Sequence, residues 1–130
     1  MPVPISALYA GILAVIVVVL SSRVGRARLR TEVSLLHGES SELLVEIRRH
    51  ANFTEAVPMP LILLALIELN GASGTLLHGL GAALVAARIV HPIGLHHDNM
   101  RHPLRGIGAL GTTLITLIAG GVAIWQFLGG

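Results

Sequence analysis

Arg48, Asn52 and Glu55 are spaced i, i+4 and i+7 within RRHANFTEAVP, the stretch from Arg48 to Pro58. At 100° per residue these three side chains share a narrow arc of one helix, while His50 projects to another side. Arginine, amide and carboxylate together can hold a small molecule that carries both anionic and amide groups. The stretch nevertheless runs straight into PMPLILLALI, which has no charge. Glu55 sits about 10 Å deeper along the helix axis than Arg48. A carboxylate at that depth in an apolar segment is costly unless paired, and usually faces the bundle interior or a wet cavity. The plainest structural account is an ion pair from Glu55 to an arginine on another helix, and such a pair can also line a site.

Other ionisable groups reach the same level. Arg88 and His91, three apart, end the next apolar run, and Arg101, Pro103 and Arg105 open the last one. A ligand matched to this set is small, has several carboxylates, and offers an ammonium or amide to Glu55 and Asn52. Glutathione has that chemistry and adds a thiol. Phosphate-bearing lipid head groups suit the arginines but account less well for Glu55.

These residues need helices to position them, and composition says which kind. Of 130 residues, 53% are hydrophobic and only 12% charged, with a mean hydropathy of +0.78. A soluble domain of this length needs more polar surface, so the chain reads as one membrane-embedded domain. Four apolar stretches, at about 5–24, 47–69, 75–92 and 104–128, are expected to form an all-α bundle of four transmembrane helices. The second must begin before Ala56, because about 20 residues of helix are needed to cross about 30 Å of hydrocarbon. That places Pro58 and Pro60 mid-helix, which membrane helices tolerate when neighbours satisfy the freed carbonyls. The tight turn NGASG, Asn70 to Gly74, makes the second and third spans an antiparallel hairpin. The first span has no preceding positive charge and arginines behind it, so it reads as a retained span and not a signal peptide.

All nine basic side chains are arginine. With four spans, every one falls in or beside the two loops on the same face of the membrane. The positive-inside rule makes that face cytoplasmic and puts both termini on the opposite side. Four aromatic residues and a formal charge of +2 are a poor match to a nucleic-acid surface. With no cysteine, any thiol chemistry requires a thiol brought by the ligand.

The Arg-x-x-x-Asn-x-x-Glu-x-x-Pro spacing of Arg48 to Pro58 resembles the signature of MAPEG, the membrane-associated proteins in eicosanoid and glutathione metabolism. The likeness continues through VGRAR (Val24 to Arg28), ARIVH (Ala87 to His91) and MRHPLR (Met100 to Arg105). SALYA, ELNGA and GLHH look most like the small bacterial inner-membrane branch. The resemblance implies a four-helix protomer, a homotrimer, and glutathione held between adjacent subunits. It implies that Arg26 or Arg28, Arg48, Asn52, Glu55, Arg88 and His91 contact glutathione, and that Arg105 stabilises the thiolate. It further implies transfer of glutathione to, or peroxide reduction of, a lipophilic molecule arriving from the bilayer.

The chain departs from the family pattern at three positions. Leu95 and Ala56 stand where relatives carry tyrosine beside the tripeptide, and Gly106 follows Arg105 where one relative has serine. These departures motivate an alternative, a non-catalytic membrane protein that binds glutathione or anionic lipid. A small carrier or channel ranks last, since no polar group lies at the outer end of the first or third span to match Glu55. The histidine-rich loop HHDNMRH, His96 to His102, reads as interfacial packing and not a metal site. GIGALG, Gly106 to Gly111, matches a dinucleotide fingerprint by letter, but no strand precedes it, so close helix packing is the expected role. His78 is expected in the core, bonded to a carbonyl, and Glu68 is expected to reach the far interface.

Overall fold

A computed structural model describes residues 1–95 and 103–130. These residues form five helices: α1 (Pro4–Thr31), α2 (Ser41–Ala56), α3 (Pro58–Leu69), α4 (Gly74–Gly94) and α5 (Pro103–Phe127). There is no strand among the described residues. Four helical stretches are long and apolar enough to cross a membrane, with α2 and α3 counting as one of 29 residues.

α2 and α3 run on through Val57, which keeps helical dihedrals (φ −81°, ψ −37°). The Val57 N–H donates to the Phe53 carbonyl at 3.0 Å, and Leu61 N–H donates to the Val57 carbonyl at 3.1 Å. Pro58 removes one intrahelical bond and occupies the first position of α3, so the span is interrupted there.

Both ends of this span exceed or meet the expected limits for local reasons. The Ser40 hydroxyl accepts from Leu43 N–H at 3.1 Å and starts α2 six residues before Ile47. At the other end Ala72 N–H bonds the Ile67 carbonyl and Gly71 N–H bonds the Glu68 carbonyl. Gly71 takes φ +88°, so the NGASG turn is a Schellman cap that needs glycine there. α1 likewise extends past residue 24 to Thr31, ending at Glu32 in the left-handed region.

The helices form a ring in which α1 contacts α2 and α4, and α5 contacts α4 and α3. The core between them includes Leu13, Phe53, Leu64, Ile67, Leu84 and Ile115. Large aliphatic residues such as Val15, Ile62, Leu117 and Ile124 point outward, as lipid-facing positions do. Without water to drive burial, such a bundle holds by close packing. Glycine supplies the closest approaches. A Cβ on Gly108 would lie 2.5 Å from His91 Cβ and 2.8 Å from the Ala87 carbonyl, so α5 presses directly on α4. Part of GIGALG is thus a helix-packing face. Gly81 similarly admits the Tyr9 ring, which would stand 2.2 Å from an added Cβ.

Polar contacts tie the end of the bundle that holds both termini. Glu68 does more than reach the interface: its carboxylate accepts from Ile5 N–H at 2.9 Å, Ser6 N–H at 2.7 Å and the Ser6 hydroxyl at 2.5 Å. An anion on the free N–H groups of a helix start is favoured by both hydrogen bonding and the helix dipole. His78 is exposed, contrary to its expected core position, and its Nδ1 lies 2.9 Å from the Tyr9 hydroxyl. It sits on the outer side of α4, and the tyrosine supplies its partner.

Candidate functional site

Arg88 anchors the opposite end. It is 1% exposed, the largest side chain so deeply buried. Its Nη2 donates to the Asn52 amide oxygen at 2.6 Å, and its Nη1 donates to the Thr112 hydroxyl at 3.2 Å. Thr112 can accept because its own proton goes to the Gly108 carbonyl at 2.9 Å. The Phe53 ring lies under the guanidinium, its centroid 5.8 Å from Cζ. These partners are neutral, so the arginine is solvated by dipoles with no anion bonded to it among the described residues.

His91, one turn further along α4, is 2% exposed and lies against Gly108 of α5. Its Nδ1 is buried with no hydrogen-bond partner among the described residues. Arg105, half-buried in the first turn of α5, is within electrostatic reach of His91. Its backbone N would lie 2.1 Å from a Cβ on Gly94, so α4 ends against the start of α5. Helices α2, α4 and α5 therefore bring Asn52, Arg88, His91 and Arg105 to one end of the bundle.

Arg48 and Glu55 stand on the outside. Their side chains are 51% and 64% exposed, with Arg48 Nη2 3.9 Å from Glu55 Oε2. Two corrections follow. Glu55 does not face the interior of its own bundle, and its ion-pair partner is on the same helix. The i, i+7 geometry that aligns them also turns both away from the core.

The buried acid at this end is Glu46, 7% exposed. It accepts two bonds from Arg23, Nε at 3.0 Å and Nη2 at 2.9 Å, and one from Arg49 Nη1 at 3.0 Å. Arg49 Nη2 also donates to the Leu95 carbonyl at 3.2 Å. This network joins α1, α2 and the end of α4. Sequence reasoning passed over Glu46, and the signal was its i, i+3 spacing to Arg49. Nothing in the sequence marks Thr112.

Arg26 and Arg28 differ in what surrounds them. Arg28 Nη1 donates to the Val33 and Leu36 carbonyls at 3.2 and 2.9 Å, holding the turn after α1. Arg26 is exposed and lines a cavity of about 130 Å³ with Arg23, Arg30 and Glu46. Arg30 pairs with Glu42 across the same turn. The stretch His96 to His102, with Arg101, lies outside the described residues.

The model of the MAPEG family matches residues 6–125. This chain belongs to the MAPEG family. Within reach of this family assignment, the chain is 34% identical over 114 residues to inner membrane protein YecN of Escherichia coli K12, covering 88% of this chain and 87% of that protein. The YecN protein of Escherichia coli O6:H1 is similar to the same extent. No solved structure matches. The MAPEG match reaches into every helix described here and includes the Arg88 cluster on α4 and the start of α5.

Proposed function

We propose that this MAPEG protein is an integral inner-membrane protein that binds glutathione and transfers it to lipophilic electrophiles, or reduces lipophilic peroxides with it. The observation that supports this most is the division of labour around α2. Asn52 is held by the buried Arg88, while Arg48 and Glu55 stand exposed at the outer edge of the same arc. An exposed carboxylate on a spanning helix is expensive against lipid. A neighbouring copy covering this face would remove that exposure and enclose a polar space for a ligand, so a homotrimer with sites between subunits fits the surface. Arg48 and Arg26 then meet glutathione carboxylates, Glu55 its ammonium, and Asn52, Arg88 and His91 complete the cradle. Arg28 contributes by holding the adjoining turn.

In this reading Arg105 favours the thiolate. A thiol of pKa about 8.5 is mostly protonated at neutral pH, and a fixed cation lowers the energy of the anion. The thiolate sulfur forms a bond to the electrophilic carbon as that carbon's leaving group departs with its electron pair. The arginines at this end belong to loops read as cytoplasmic, where glutathione would enter.

A second reading, binding without catalysis, is favoured by the aliphatic side chain at Leu95 and the alanine at Ala56. Leu95 is 7% exposed, so it offers no polar group to a sulfur.

Calorimetry with glutathione in nanodiscs, run beside a conjugation assay with a chloronitrobenzene, tests both. Saturable heat with turnover supports the enzyme, and heat without turnover supports the binder. Absence of heat overturns glutathione binding altogether. Arg105→Ala should keep most of the heat and lose turnover, whereas Glu55→Gln should weaken binding about tenfold, the loss of a charged hydrogen bond. Native mass spectrometry should give a trimer.

A further inference from the structure

Pro58 leaves a gap in the backbone bonding of the second span. Val57 N–H donates to the Phe53 carbonyl and Leu61 N–H to the Val57 carbonyl. The Thr54 carbonyl, four residues before Pro58, loses the N–H that would bond it. The Thr54 hydroxyl gives its proton to the Ala51 carbonyl at 3.0 Å, so it adds a second acceptor here and no donor.

That carbonyl opens onto a cleft. Thr54, Pro58, Leu61 and Ile62 are spaced i, i+4, i+7 and i+8, so they share one face of the continuing helix. A cavity of about 340 Å³ lies along this face, with Val17 of α1 on its other wall. Phe53 and Val57, each 4% exposed, line its buried side. Thr54, Pro58 and Ile62 are exposed, so the cleft is open towards hydrocarbon. Thr54 is the one polar residue lining it among the described residues.

Thr54 lies about 10 Å along the helix from Ile47, where the apolar stretch begins. At that depth bulk water does not complete backbone bonds, and carbonyls freed by proline are ordinarily satisfied by a neighbouring donor. The cleft therefore offers acceptors, apolar walls and no donor. We infer that it binds an apolar molecule whose single polar group is a hydroxyl, an alcohol or phenol dissolved in the bilayer, which donates to the Thr54 carbonyl. An anion meets no donor here, and an ether or ester brings no proton. The volume falls within the range of small-molecule sites. The site uses no residue of the proposed glutathione cradle and does not depend on it.

The test uses the full chain in phosphatidylcholine nanodiscs with a diazirine-bearing phenol as photolabel. Saturable labelling should map to Val17 and residues 53–62. Unlabelled 2-naphthol should compete about fivefold better than 2-methoxynaphthalene, the worth of one hydrogen bond, although the ether is the more apolar of the two. Pro58→Ala restores an N–H to the Thr54 carbonyl and should bring the two competitors level. Pro60→Ala, which acts on the Ala56 carbonyl outside the cleft lining, should keep the preference. Equal competition on the unaltered chain, labelling confined to α4 and α5, or a preference that survives Pro58→Ala would overturn the inference. Absence of saturable labelling would mean that lipid or a second copy fills the cleft, and would overturn it too. If the variants do not fold, the ranking of competitors and the labelled residues on the unaltered chain decide. Failure of glutathione to bind would leave this labelling in place, so the two proposals fail separately.

Discussion

Arg88 Nη2 and Asn52 Oδ1 are 2.6 Å apart, linking α4 to α2 through a buried cation. Asn52 is therefore both a structural partner and a member of the proposed glutathione cradle. The bond fixes the turn of α2 that displays Arg48 and Glu55 outward, so the core contact sets the geometry of the surface pair.

Replacing this amide separates the two roles. Asn52→Ala leaves a charged donor unsatisfied and should lower unfolding stability by about 1.5–3 kcal/mol. Asn52→Asp supplies the missing anion and should melt well above Asn52→Ala, at or above the unaltered chain. Both should weaken glutathione binding, the aspartate by repelling its carboxylates. Thermal melts in nanodiscs, paired with calorimetry, read the two effects. Equal melting of both variants would refute the view that Arg88 lacks a counter-charge.

Glu46→Gln removes the acid shared by Arg23 and Arg49. Breaking a fully buried pair costs about 3–5 kcal/mol. Arg23 is 48% exposed, so water can take over part of its charge and a loss of about 2 kcal/mol is expected. The melt should fall, and proteolysis in the turn between α1 and α2 should quicken because only the exposed Arg30–Glu42 pair is then left among the ion pairs joining α1 to α2 in the described residues. A variant that melts like the parent would make the network ornamental.

At the far end, Glu68→Gln tests the cap on α1. Losing the charged acceptor should cost about 1–2 kcal/mol. Hydrogen exchange at the Ile5 and Ser6 amides should speed up while glutathione binding stays as it was. Unchanged exchange at those two amides would show that the carboxylate does not hold the helix start.

Two glycines in one motif should behave oppositely. Gly108→Ala drives a Cβ into His91 and Ala87, and should cost about 1–3 kcal/mol by overpacking. Nothing lies within 4 Å of a Cβ on Gly106, so Gly106→Ala should be neutral or stabilise α5 by up to about 1 kcal/mol. Matching effects at both positions would contradict the close approach of α4 and α5.

Much of this protein could be read along the chain. Four apolar runs, each near the length that spans a bilayer, dictate four crossings, because backbone groups in lipid must bond within a helix. The arginines cluster at loops that helix direction must bring to one end. Spacing alone put Arg48, Asn52 and Glu55 on one arc. The register of one helix against another was not legible, because periodicity says which residues share a face and not what that face meets. Tertiary packing turned Glu55 outward and Glu46 inward, although both are acids on the same helix. It placed Thr112 opposite Arg88, through a glycine face that lets α5 approach α4. It also gathered Arg23 and Arg49 on Glu46 and gave Arg88 only the neutral partners Asn52 and Thr112 among the described residues, an arrangement that exists only once the helices are brought together.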